Sequence, residues 1–157
     1  MKNNFLNIYN NLVKLTRNKN LYDPTSDKES FSDRLIIFFF HFSFFLKLYK
    51  NQSSKEELQK LYDYIFKQIE LSIREIGYGD ATVNKKMKNY VNLMYAIIDK
   101  VELWDSLDLT SKSKFFSEFI DTHKKSSFFV SYFDKYSIYL RKNSFNYFTK
   151  DVISLKF

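Results

Sequence analysis

Histidines, cysteines and clustered carboxylates are where a sequence usually shows its chemistry, and this chain has few of them. His41 and His123 are the only histidines. Neither has a carboxylate or a second histidine at metal-ligand spacing, and no H-x-x-x-H, D-x-D or Walker-type pattern occurs. The absence of cysteine removes disulfides, thiolate zinc sites, iron–sulfur clusters and a cysteine nucleophile. No catalytic constellation, metal or cofactor is therefore expected. His41 lies in the most apolar stretch, where two uses are open. One is a haem ligand; the other, commoner and expected here, is a core histidine bonded to a backbone or side-chain acceptor. His123 follows Asp121 near a helix end, where a cation offsets the negative pole.

The remaining polar chemistry is cationic. Lys85, Lys86 and Lys88 fall in the opening turns of an expected helix, where the macrodipole disfavours a first-turn cation by about 0.3–1 kcal/mol. At 100° per residue, Lys85 lies opposite a Val83/Met87/Val91 stripe and the other two flank it, so all three can reach solvent beside exposed helix amides. Both glycines of the chain, Gly77 and Gly79, stand just upstream. This corner would attract anions, and its bland alternative is an ordinary solvated lysine face beside a tight helical connection.

The elements that position these residues follow from composition and period. The 157 residues fit one domain spanning 1–157, 45% hydrophobic and 27% charged, able to bury a core and unlike a disordered chain. Aromatic residues reach 20% against 2 Gly and 1 Pro, which excludes collagen-like, linker-rich and turn-dense all-β designs. An all-α, single-domain bundle of about six helices is expected. The net charge of +7 and pI near 9.3 favour an anionic partner. Most of the excess lies late, with 12 Lys and Arg against 10 Asp and Glu up to Asp80, and 13 against 8 after it.

The helices are expected at about 4–17, from the Ser30 or Ser32 cap to about 50, from the Ser54 cap to 76, from after Asp80 or Thr82 to about 102, and at 111–123 and 127–141. The first carries Phe5, Leu6, Tyr9, Leu12, Val13 and Thr16 at helical spacing. Asp23, Pro24, Thr25, Ser26 and Asp27 interrupt the pattern, and Ser30 or Ser32 can cap the next helix. Residues 35–46 are the strongest apolar run, but 12 residues reach only about 18 Å of a hydrocarbon layer about 30 Å thick. A central core helix is expected. Ser54 with Glu57 reads as a capping box ahead of Leu58, Leu61, Tyr62, Ile65, Ile69, Ile73 and Ile76, a helix that Gly77 should stop in a left-handed conformation. The fourth helix should bury Val83, Met87, Tyr90, Val91, Met94, Ile98 and Val101 and run antiparallel to the third. The fifth turns Phe115, Phe116, Phe119 and Ile120 inward, the sixth Phe129, Tyr132, Phe133, Tyr136 and Leu140. The tail from Ser144 to Phe157 is too apolar to dangle and should dock. Asn7, Asn10, Asn11 and Lys14 break the N-terminal apolar stretch, so no export signal is read there and an intracellular address is expected.

A nucleic-acid or ribosome-binding module would also use a basic corner. The aromatics, however, recur on buried stripes instead of interleaving with basic residues, and no recognised module is present; no DNA partner is expected. The segment Ser72-Ile73-Arg74-Glu75-Ile76-Gly77-Tyr78-Gly79-Asp80, followed by Val83-Asn84-Lys85-Lys86-Met87-Lys88, resembles the "LREMGxGDxxVGKxxK" signature of the ubiquinol–cytochrome c chaperone family in order and spacing. Residues 31–47, with His41 and a basic end at Lys47, resemble that family's "LHxFLxxR" helix, and Tyr22 falls where the family often has tyrosine. The likeness covers about residues 9–95. Asn84 replaces the family's glycine after the valine, the Gly-Arg pair before the apolar helix is missing, and Lys47 alone stands for a basic pair.

The resemblance implies an all-helical, non-enzymatic chaperone for assembly of the cytochrome bc1 complex, binding newly made cytochrome b. It further implies work at the inner face of the membrane, on the matrix side if eukaryotic, with a second assembly factor and ribosome contact as further partners. On this reading an anionic membrane surface meets the basic corner, where each lysine contributes about 1 kcal/mol. The expected functional surface is Arg74, Gly77, Gly79, Asp80, Lys85, Lys86 and Lys88, with an aromatic groove to shield the client.

Overall fold

A helix that is apolar on every side needs neighbours on every side, and residues 31–49 organise this fold. The computed structural model describes residues 2–22, 31–122 and 124–157. Among these residues six helices, α1 (Lys2–Thr16), α2 (Phe31–Tyr49), α3 (Lys55–Ile76), α4 (Asp80–Glu102), α5 (Leu109–Phe119) and α6 (Ser126–Lys142), form an all-α single-domain bundle. Short 3-10 turns lie at Lys19–Leu21, Trp104–Ser106 and Phe145–Thr149. The interruption from Asp23 to Asp27, the Ser30 cap and His123 lie outside the described residues. Ser32 is the second residue of α2 and so cannot be its cap.

Helix α2 is the axis. Phe38, Phe39, Phe40, Phe42, Phe44 and Phe45 are all buried, and α1, α4 and α6 pack around them. Phe40 meets Phe115 and Phe116 of α5 at ring separations of 5.4 and 5.2 Å and Phe133 of α6 at 5.8 Å. Phe39 stacks on Phe66 of α3 at 5.7 Å. Among the described residues no helix is long and apolar enough to cross a membrane.

Two stripes differ from the sequence reading. In α1 the buried residues are Ile8, Asn11, Leu12, Leu15 and Thr16, whereas Leu6 is exposed. The reason is Asn11, whose Nδ2 donates to the Phe148 carbonyl at 3.0 Å and the Lys150 carbonyl at 2.8 Å, so a polar residue occupies the centre of the inward face. The tail thus docks as expected, with Phe145 and Phe148 buried. In α4 the fully buried positions are Val83, Met94, Ile97 and Val101, with Met87, Tyr90, Val91 and Ile98 partly buried beside them. Trp104, in the expected break, is core: 1% exposed, with its indole N–H donating to Asp134 at 2.9 Å.

Candidate functional site

The connection between α3 and α4 is built from its caps. Ser54 Oγ accepts from the Glu57 amide at 3.0 Å and starts α3. The capping box is only half made, because the Glu57 carboxylate accepts from Ser53 Oγ instead of reaching back to the Ser54 amide. Helix α3 ends on Gly77 at φ 108°, its N–H donating to the Arg74 carbonyl, a left-handed residue that favours glycine. Gly79 differs: at φ −72° and ψ 167° it is ordinary extended backbone, and a Cβ there would meet nothing within 4 Å.

The turn lets α4 return along α3. Tyr62 stacks near Tyr95 at 6.2 Å, while Ile73 and Ile76 share a cleft with Lys86 and Tyr90. One pairing therefore lies early on α3 and late on α4 and the other the reverse, so the two helices run antiparallel. Across the elbow, the Arg74 guanidinium bonds the Asp80 carboxylate and lies 3.8 Å from Glu70. The neighbouring carboxylates raise the affinity of Arg74 for its proton, the hydrogen bond that it donates to Asp80 first. Exposed pairs of this kind contribute little to stability. Arg74 and Asp80 therefore strap the elbow, with their charges largely directed at each other.

The lysines are placed differently from that strap. Helix α4 begins at Asp80, so Lys85, Lys86 and Lys88 lie past the first turn and escape most of the dipole penalty that the sequence assigned them. The first turn holds Asp80 instead, a favourable charge there. Lys85 and Lys88 are exposed and Lys86 is half-buried. None of the three is in an ion pair among the described residues. Lys86 Nζ sits over the Tyr78 ring at 4.7 Å, a cation–π contact of about 0.5–1 kcal/mol at such a site.

Beneath Lys86 is a cleft of about 230 Å³ lined by Phe31, Ile73, Ile76, Tyr78 and Tyr90, with Ile76 53% and Tyr78 43% exposed. This is what becomes of the expected aromatic groove at the elbow, since most of the aromatics are spent in the core. The sequence reading missed Phe31, Ile76, Tyr78 and Tyr90 as surface residues. The available signal was two large apolar side chains, Ile76 and Tyr78, on either side of the glycine that reverses the chain.

His41 belongs to the core. It is fully buried; its Nδ1 lies 2.8 Å from the Ile37 carbonyl and its Nε2 2.7 Å from the Tyr132 hydroxyl. A carbonyl can only accept, so Nδ1 carries the proton and Nε2 accepts from Tyr132. Burial pushes its pKa down to about 3, partly opposed by the Ile37 bond. Both ring nitrogens are taken, which leaves the haem-ligand alternative no free nitrogen. Among the described residues no three His, Asp or Glu side chains gather at metal-binding range.

The fold and this site define a class first: a helical bundle with an outward basic elbow over a small apolar cleft. The model of the ubiquinol-cytochrome C chaperone family matches residues 26–103, about half of the chain, and includes all seven residues of the expected surface. Residues 26–103 therefore belong to the ubiquinol–cytochrome c chaperone family. The match starts after Tyr9 and Tyr22, later than the resemblance did, and runs on to the end of α4. No curated protein and no solved structure matches the chain. The family suggests a role in assembling the bc1 complex, a partner within that respiratory complex, and a non-enzymatic action.

Proposed function

We propose that this chain, acting as one family-like domain over residues 1–157, chaperones newly made cytochrome b during assembly of the bc1 complex. It works peripherally at the inner face of the membrane, the matrix side if eukaryotic. The observation that carries the reading is the family match over the segment that contains the whole elbow. Lys85 and Lys88 project to solvent without carboxylate partners among the described residues, which suits a negatively charged headgroup layer. The Phe31/Ile76/Tyr78 cleft beneath them has room for one or two apolar side chains of a client. Lysines steer and orient, about 1 kcal/mol each near an anionic leaflet, and the cleft supplies the apolar contact. A second assembly factor and a ribosome are the further partners of this proposal.

Affinity purification from native membranes, with wild type beside the Lys85→Glu/Lys86→Glu/Lys88→Glu variant, is the test. Cytochrome b should accompany the wild type and be depleted with the variant, at unchanged helicity. Equal recovery removes the lysines from the mechanism. RNA binding with a steep salt slope, and no cytochrome b, would replace the proposal with a nucleic-acid module.

A further inference from the structure

Phe31 also borders a second, larger depression. Between α1, the start of α2 and α3 runs a groove of about 550 Å³ with Val13, Leu35, Phe38 and Ile69 in its lining, within the range of about 300–1,000 Å³ usual for small-molecule sites. Two of its hydroxyls are already engaged. Ser72 Oγ donates to the Gln68 carbonyl, and Thr16 Oγ1 donates to the Leu12 carbonyl. A peptide backbone laid here would find few partners, whereas a hydrocarbon chain needs none.

The rim has the opposite character. Arg17 lines this groove and also an adjoining mixed depression of about 450 Å³, where Lys14, Asn18, Ser131 and Lys135 stand beside Phe128 and Phe157. Lys19 and Arg34 edge the groove itself. These five cations are exposed and have no ion pair among the described residues; Lys14 reaches only the Asp151 carbonyl, at 3.5 Å. Asp151 stands beside Lys14, and the charge of Glu75 bears on Tyr9. An apolar channel and a cationic pocket thus meet at one arginine.

We propose that this pair of depressions holds one anionic phospholipid, with an acyl chain along Val13, Leu35, Phe38 and Ile69 and the phosphate against Lys14, Arg17 and Lys135. The site lies beyond the elbow and uses none of its lysines. It deepens the membrane part of the reading above, since a lipid drawn partly from the leaflet would fix the domain's orientation on the surface.

The test is methyl and amide NMR on the full chain, titrated with monomeric dihexanoyl-phosphatidylglycerol, dihexanoyl-phosphatidylcholine and glycerol 3-phosphate. The glycerol lipid should shift the Val13, Leu35 and Ile69 methyls and the Arg17 amide saturably. The choline lipid and glycerol 3-phosphate should each bind at least about tenfold more weakly. Arg17→Glu, at an exposed position, should weaken the glycerol lipid about tenfold or more with unchanged circular dichroism, and Val13→Trp should block the groove. Equal binding of the two lipids, equal binding of glycerol 3-phosphate, or silence at those methyls overturns the proposal. So does an apolar peptide that shifts the same methyls when the lipid does not. The triple elbow variant should keep its lipid affinity, so failure of the groove and failure of the elbow give different results.

Discussion

Replacing His41 with phenylalanine should turn an acid-labile core into an acid-tolerant one. The folded protein holds this imidazole neutral with its pKa pushed down to about 3, against about 6.5 in an unfolded chain. A depressed folded pKa means that the stability is complete above pH 6.5. It is lost as pH falls toward 3, because only the unfolded state takes up the proton. The loss approaches about 1.4 kcal/mol per pH unit, or about 3 kcal/mol at pH 4.5, a large part of a domain's usual 5–15 kcal/mol. The groups facing the ring from α6 are Tyr132, Phe133 and Tyr136, and none of them supplies a negative charge at these pH values. At pH 7.5 His41→Phe should be less stable by about 1–3 kcal/mol, since the buried Tyr132 hydroxyl loses its acceptor. Chemical unfolding followed by circular dichroism at pH 7.5, 6.5, 5.5 and 4.5 should show that gap closing and then reversing. All other groups titrate in both proteins and cancel in the difference. Parallel stability curves across this range would refute the assignment of a neutral, fully bonded His41.

The two glycines make a second contrast: Gly77→Ala, at φ 108°, should cost about 1–2 kcal/mol, while Gly79→Ala, with open space around it, should stay within about 0.5 kcal/mol; paired thermal melts decide. Phe40→Ala, at the junction of α2, α5 and α6, should cost about 3–5 kcal/mol, read by denaturant midpoint at constant m-value. Asn11→Ala should release the tail it holds through two carbonyls, seen as faster amide exchange over residues 145–157 with the six helices kept. The triple lysine-to-glutamate variant should melt within about 4 °C of wild type, because none of its ammonium groups is in an ion pair among the described residues and the contact it loses is that of Lys86 with the Tyr78 ring, about 0.5–1 kcal/mol.

The bundle was legible because its helices bury apolar stripes and the chain's two glycines fall together at one connection. Helix α3 could be read almost to the residue, since Ser54 and Gly77 signal their roles locally. What escaped was set by distant partners. Asn11 looks like a stripe-breaker until the carbonyls of Phe148 and Lys150 arrive to accept from it, and Trp104 looks like loop until Asp134 meets its indole. At the elbow, the three lysines were found by type and spacing. The start of α4 at Asp80, instead of after Asp80 or Thr82, then placed them one to three residues deeper, and Arg74 with Asp80 turned out to strap the turn. The apolar cleft was invisible because Phe31 comes from a different helix.

Site-specific photocrosslinking in the native cell tests the elbow most directly. A crosslinking residue at Lys85 should capture cytochrome b in membranes, and the same residue at exposed Lys114 on α5 should not. Capture from both positions alike, or from neither while assembly proceeds, would contradict the account.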